Sequence, residues 1–399
     1  MVGATERNIL VLAGYFKGER FIEQAHRRGV NVYLLTLARL LHCGWPRECL
    51  KETFAVPDAS TLQDFINAVS YLARTVHFDL IVALDDYDVE TGAGLREHLR
   101  LPGMGDSVAR YFRDKLAMRV RAQASGIPVP PFIQVLNHSA LAEFMSRVPA
   151  PWMFKPRSEA SAAGIVKIER AEELWPLLEQ RGDRQSYFLL EKYLPGDVFH
   201  VDSILCEGRV IFSEVHQCGR PPFNVAHGGG IFTTHTVERG TEDETGLRAV
   251  NAQVLAAFGH TRGVSHTEFI KHSEDGNFYL LETSARVGGA HIAELVEGAT
   301  GVNLWEAWAN VELDGADYRL PELRAEYGGV AMTLARQPHP DLSSYDDPEV
   351  IYRAPEEHHA GLVLRASSCS RVKSLLEAYQ ERFMRDFNAF LPAPEKPTL

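Results

Sequence analysis

The stretch GVSHTEFIKHSEDGNFYLLETSARVGG, residues 263–289, restricts the fold more than any other part of this chain. Two runs rich in β-branched and aromatic residues flank Asp275-Gly276, a strong signal for a hairpin between antiparallel strands. One extra residue in the loop sets Glu268 opposite Glu282. Like charges placed this way repel and call for a cation. Hard oxygen donors on a rigid pair of strands suit magnesium, which takes one or two carboxylates and fills its shell with water and phosphate oxygens. On the hairpin alone, two unrelated acids on a solvated face are the simpler reading, so the rest of the chain has to decide.

At 399 residues the chain exceeds one ordinary core and predicts two or three domains. A composition of 45% hydrophobic and 24% charged residues is that of a soluble globular protein. The net charge of -12, without a basic run, argues against nucleic acid or an anionic membrane as partner. No leader pattern and no run of 18 apolar residues is read, so a cytoplasmic protein is expected. The five cysteines are scattered without a C-x-x-C pair, which speaks against structural zinc and a disulfide framework.

NILVLAGYFKGERFIEQAHRRGVNVYLLT (8–36) reads as strand, turn, amphipathic helix and strand, and DLIVALDDYD (79–88) supplies another apolar run. Strands alternating with helices predict a doubly wound parallel sheet over residues 1–108. Gly14 and Gly18 do not make the G-x-G-x-x-G of a nicotinamide site, so a dehydrogenase is rejected. From about residue 108 the texture changes: one helix is expected through VARYFRDKLAMRVRAQASG, then the link IPVPPF, then mainly antiparallel strands. The chain divides into 1–108, 109–312 (lobes 109–190 and 191–312) and a small C-terminal α+β part, 313–399.

Four features group chemically. Lys115 in a helix and Lys155 among Met153, Phe154 and Pro156 are cations in apolar company that an anion would satisfy; for Lys115 alone, a snorkelling surface lysine is the simpler account. PRSEASAAGI (156–165) is a small-residue loop, with Ser158, Ser161 and Gly164, able to close over phosphate. EKYL (191–194) ends a strand before Pro195-Gly196 and offers free backbone groups to a purine edge. The fourth feature is Glu268 and Glu282, with Ser284, Arg286, Gly288 and Gly289 following.

This ordered set, R-D-K, F-K-P, a small-residue loop, E-K-Y-L-P-G and E followed by E-T-S-A-R, resembles the ATP-grasp superfamily. The resemblance implies a central ATP-grasp fold between the α/β and α+β parts. It implies that Lys115, Lys155, Ser158, Ser161 and Gly164 hold ATP phosphates, that Glu191, Lys192, Tyr193 and Leu194 hold adenine, and that Glu268 and Glu282 hold magnesium or manganese, with Arg286 on the transferred phosphate. Ser284 stands where the family carries a third metal ligand, asparagine, and Val198 where it carries the ribose-binding glutamate; Asp197 is the neighbour that would replace it.

PPFNVAHGGGIFTTH (221–235) and ETSARVGGAHIAELVEGATGVNLW (282–305) are similar to bacterial L-amino acid ligases and related carboxylate-amine ligases. That similarity implies ATP-dependent joining of a small carboxylate and an amine through an acyl phosphate. Glu214, His216, His227, Gly228, Gly229, Gly288, Gly289 and His291 are the candidate substrate contacts, and a homodimer is a further expectation. The alternatives are an ATP-grasp carboxylase or purine-pathway ligase, and a nucleotide-binding module without turnover.

Overall fold

The computed structural model of the chain describes residues 7–160 and 162–390, so Ser161 lies outside the described residues. Four apolar strands, β1 (Asn8–Ala13), β2 (Asn31–Leu37), β3 (Leu50–Val56) and β4 (Leu80–Ala83), form a parallel sheet in the order β3-β2-β1-β4. The helix Glu19–Arg27 buries Phe21, Ile22 and Ala25, as its periodicity predicts. The strand order reverses between β1 and β4, and a crevice forms outside the carboxyl ends of strands at such a point. Asp85, Asp86 and Asp88, all buried, follow the end of β4.

A second sheet contains β5 (Phe132–Gln134), β6 (Trp152–Pro156), β7 (Val166–Ile168) and β8 (Phe188–Lys192), in the order β5-β8-β6-β7. Phe154 and Leu190 sit in the core beneath it, with Leu141, Phe144, Leu174 and Leu178 from two helices. The third sheet has eight strands. They are β9 (Gly196–Cys206), β10 (Arg209–Cys218), β11 (Phe232–Thr236), β12 (Gly263–His272), β13 (Phe278–Ser284), β14 (Tyr327–Leu334), β15 (Val350–Arg353) and β16 (His359–Ala366), in the order β13-β12-β9-β10-β11-β14-β16-β15. The C-terminal strands β14–β16 thus extend the same sheet, backed by the helix Cys369–Asp386.

Two local expectations are corrected. The helix through 108–126 is broken: Asp114 takes extended backbone and its carboxylate accepts from the N–H groups of Leu116 and Ala117, starting a new helix, Lys115–Ala124. Lys115 therefore stands at a helix N-terminus. In the hairpin Glu268 does face Glu282, but the extra residue is not in the loop. Residues from Phe269 to Lys271 pair with Leu280 to Phe278, His272 N–H donates to the Asn277 carbonyl, and Leu281 is a bulge next to Glu282. Without that bulge Glu268 would oppose Leu281.

Candidate active site

Strand register brings the polar residues of one sheet face into rows. Glu282 on β13, Glu268 on β12, His200 on β9 and His216 on β10 lie side by side across four strands. The next row holds Ser284, His266, Asp202 and Glu214. Toward the hinge lie Ile270, Val198 and Cys218, an apolar cluster joined by Leu194 and Leu281. A cavity of about 420 Å³ opens over this face, lined by Lys115, Lys155, Glu191, Glu268, Glu282 and Arg286 among others. The chain thus gathers the two lysines, the two glutamates and the arginine around one space.

In the first lobe the buried carboxylate is already compensated. Glu191 is 1% exposed; Lys155 Nζ donates to one of its oxygens and Arg119 Nε to the other at 2.9 Å. Burial works against ionisation of Glu191, but Arg119 and Lys155 outweigh it and hold the carboxyl at about 2. In the second lobe the compensation is sparser. Lys115 Nζ lies 3.0 Å from Glu282 Oε2, and His266 Nε2 lies 3.5 Å from Glu268 Oε1. Burial disfavours charge on His266, yet Asp202, 2.8 Å from its Nδ1, lifts the imidazole to about 9. Asp202 also accepts from His200 at 2.7 Å, so one buried carboxylate orders two rings. This His200–Asp202–His266 group went unread in the sequence, although polar residues at alternate positions of otherwise apolar strands are its signal.

The small-residue loop 156–165 is strapped to residues 113–115 through three successive carbonyls. Lys115 N–H donates to the Arg157 carbonyl at 2.8 Å, Arg113 Nη2 to that of Ser158 at 2.5 Å and Lys115 Nζ to that of Glu159 at 2.6 Å. Ala162 has φ of 57°, the left-handed region that favours glycine, as does Gly164 at 68°. At the hinge, Lys192 and Tyr193 N–H groups are taken by the carbonyls of Pro131 and Pro151, and the Lys192 ammonium by those of Pro149 and Ala150. Of the expected free donors, Leu194 N–H remains: no described residue accepts it.

Several side chains stand elsewhere than expected. Asp197 is exposed and pairs in register with Lys271, while Val198 lines the cavity, so strand alternation keeps Asp197 from replacing the ribose ligand. Glu214 lies outside the cavity, ion-paired with Arg239 at 2.5 Å and Arg248 at 3.2 Å. His216 is fully buried behind His200, its ring centroid 4.7 Å away, and burial drops it to about 4. His227 stands in the last turn of the helix Pro222–Gly228 and its Nε2 lies 3.1 Å from the Ile165 carbonyl, clasping the loop 156–165 rather than lining the cavity. Gly228 has open space around it, and Gly229 packs against Phe390. A Cβ at Gly288 would come within 3.0 Å of His266 Nδ1, so packing requires that glycine, while Gly289 does line the cavity. His291 is held between Glu294 and Glu356, at 3.6 and 3.4 Å, outside it. Ser284 is buried against its neighbours and is not among the lining residues.

No family model matches the chain. The crystal structure of an L-amino acid ligase from Bacillus licheniformis superposes with a TM-score of 0.77 at 17% identity, over 96% of this chain and 98% of that one. A carboxyaminoimidazole ribonucleotide synthase from Aspergillus clavatus, complexed with ATP, gives 0.72 at 16% identity, over 96% and 99%. The fold is that of the ATP-grasp proteins. Among curated relatives, the L-arginine-specific L-amino acid ligase of Bacillus subtilis is 24% identical over 277 residues, 68% of this chain. That match spans 65% of the relative's length. Among the described residues, no helix is long and apolar enough to cross a membrane.

Proposed function

We propose that the chain is an ATP-dependent carboxylate-amine ligase that makes an amide bond through an acyl phosphate. The observation that carries this reading is the Glu268–Glu282 pair, facing across a bulged hairpin in the same cavity as Lys115, Lys155 and Arg286. The donor set fits magnesium: two opposed carboxylates whose nearest compensating groups are one ammonium and one imidazole. Bound there, the ion would neutralise charge gathering on the transferring oxygens.

The chain's own residues supply the rest. Lys115 and Lys155 meet phosphate oxygens, Leu194 N–H meets the purine edge beside the apolar Val198, Ile270 and Leu281, and Arg286 holds the phosphate in transfer. A carboxylate oxygen attacks the γ-phosphorus and ADP leaves. The amine nitrogen then attacks the acyl carbon, phosphate departs with the C–O bond, and the nitrogen loses a proton. An acyl phosphate hydrolyses in water, which gives the strapped loop and the His227 clasp a purpose: they hold Ala162 and Ile165 in the cavity wall.

The test is a screen of amino acid pairs for ADP release, with mass spectrometry of the product. ADP that appears only when acid and amine are both present supports the reading. AMP release, or stimulation by bicarbonate alone, overturns it, the latter in favour of a carboxylase.

A further inference from the structure

Arg286 follows the end of β13, but part of what fixes its guanidinium comes from the other end of the chain. Asp86, in the turn after β4, is 3% exposed, and its Oδ2 accepts from Arg286 Nε at 2.7 Å. Arg286 Nη1 donates to the Val287 carbonyl at 3.0 Å. The side chain is itself 13% exposed and lines the cavity. Two nitrogens of a rigid planar fork are therefore anchored, which fixes the plane and leaves Nη2 with no hydrogen bond to a described residue.

The same corner reaches the phosphate loop. Arg113 lies 4.8 Å from the ring centroid of Tyr87, the residue after Asp86, and donates to the Ser158 carbonyl. Burial opposes charge on Asp86, but Arg286 and Arg113 prevail and hold its carboxyl at about 2, so the pair is ionic at neutral pH.

We propose that Asp86 is a positioning residue: it orients Arg286 toward the phosphate in transfer, making the N-terminal α/β part a component of the reaction site. This rests on the ligase reading for what the phosphate is joined to, and on the geometry alone for how Arg286 is aimed. A simple docking ion pair would affect stability; a positioning residue affects turnover and phosphate affinity.

The experiment uses the full chain. Asp86→Asn keeps size and an oxygen for Nε but removes the charge. We expect kcat for ADP release to fall about 10- to 100-fold, as for outer-shell partners of catalytic groups, with KM for ATP changed less than about threefold. The affinity of the Mg-ADP complex for inorganic phosphate, read by calorimetry, falls in step. In an Arg286→Lys background, Asp86→Asn causes no further loss, because both act through one group. Unchanged turnover and phosphate affinity in Asp86→Asn overturn the proposal. So do losses that multiply with those of Arg286→Lys, or a lowered thermal midpoint with phosphate affinity intact. Should Asp86→Asn not fold, Asp86→Glu keeps the charge and shifts it by one methylene; undiminished phosphate affinity there is equally fatal. A wild-type chain that binds Mg-ADP and phosphate but turns over no acid and amine pair sinks the ligase reading, while the phosphate arm still judges Asp86.

Discussion

The two lobes of the cleft treat negative charge in opposite ways. In the first, Glu191 is enclosed by Lys155 and Arg119, so the buried carboxylate has its counter-charges in place. In the second, Glu268 and Glu282 face each other with Lys115 and His266 as their ion-pair neighbours among the described residues. A buried charge with its partners present is a structural element, and removing one partner costs stability. Two opposed carboxylates with sparse compensation are the reverse: they repel without a cation, and removing one relieves the fold while impairing whatever the cation does. The first lobe is built to stay, the second to receive.

The strongest way to break this comparison is Glu282→Ala. Turnover is expected to fall by about 10²- to 10³-fold or more, the scale of losing one electrostatic stabiliser, while the thermal midpoint holds or rises. ADP release and calorimetry on the same preparation check both, and full activity would end the metal assignment. Next in size is Glu191→Gln, which leaves Lys155 and Arg119 without a counter-charge. A loss of about 3–5 kcal/mol is expected in urea unfolding. A loss well under 1 kcal/mol would put the two lobes on the same footing.

A third test extends the comparison to the crevice beside β1. Asp88 is 6% exposed and accepts from Gly14 N–H at 2.6 Å, and burial raises its carboxyl to about 7. The folded chain keeps this proton to higher pH than the unfolded chain, so stability falls as pH rises from about 4 through 7. The contribution is roughly 2 kcal/mol between pH 5 and 7. Asp88→Asn should flatten that slope in urea unfolding at pH 5, 6 and 7. An unchanged slope would show that Asp88 ionises freely, like the acids of an open site.

Local chemistry is legible in the sequence where it depends on neighbours in the chain. The parallel sheet, the helix Glu19–Arg27 and the hairpin follow from periodicity and Asp275-Gly276, and the glutamates do pair, although the extra residue is Leu281. The break before Lys115 is hidden because apolar periodicity runs across it, while Asp114 as a cap is readable. What cannot be read needs strand order. His200 and Asp202 meet His266 only because β9 lies between β12 and β10. Asp86 meets Arg286 across 200 positions, and nothing in DDYD names its partner. Contacts to the substrate are hard to read for a related reason. Glu214 and His227 have suitable chemistry, but partners elsewhere on the fold, Arg239 and the Ile165 carbonyl, hold them outside the cavity.

The bulge at Leu281 separates the hairpin tip from the glutamates. Residues 273–276 are exposed, and the pairing of Glu268 with Glu282 is set on the far side of the bulge. The tip is therefore a natural insertion point: an affinity handle or a fluorophore placed at residue 274 would sit within one short hairpin of the cleft without moving the acids that face into it.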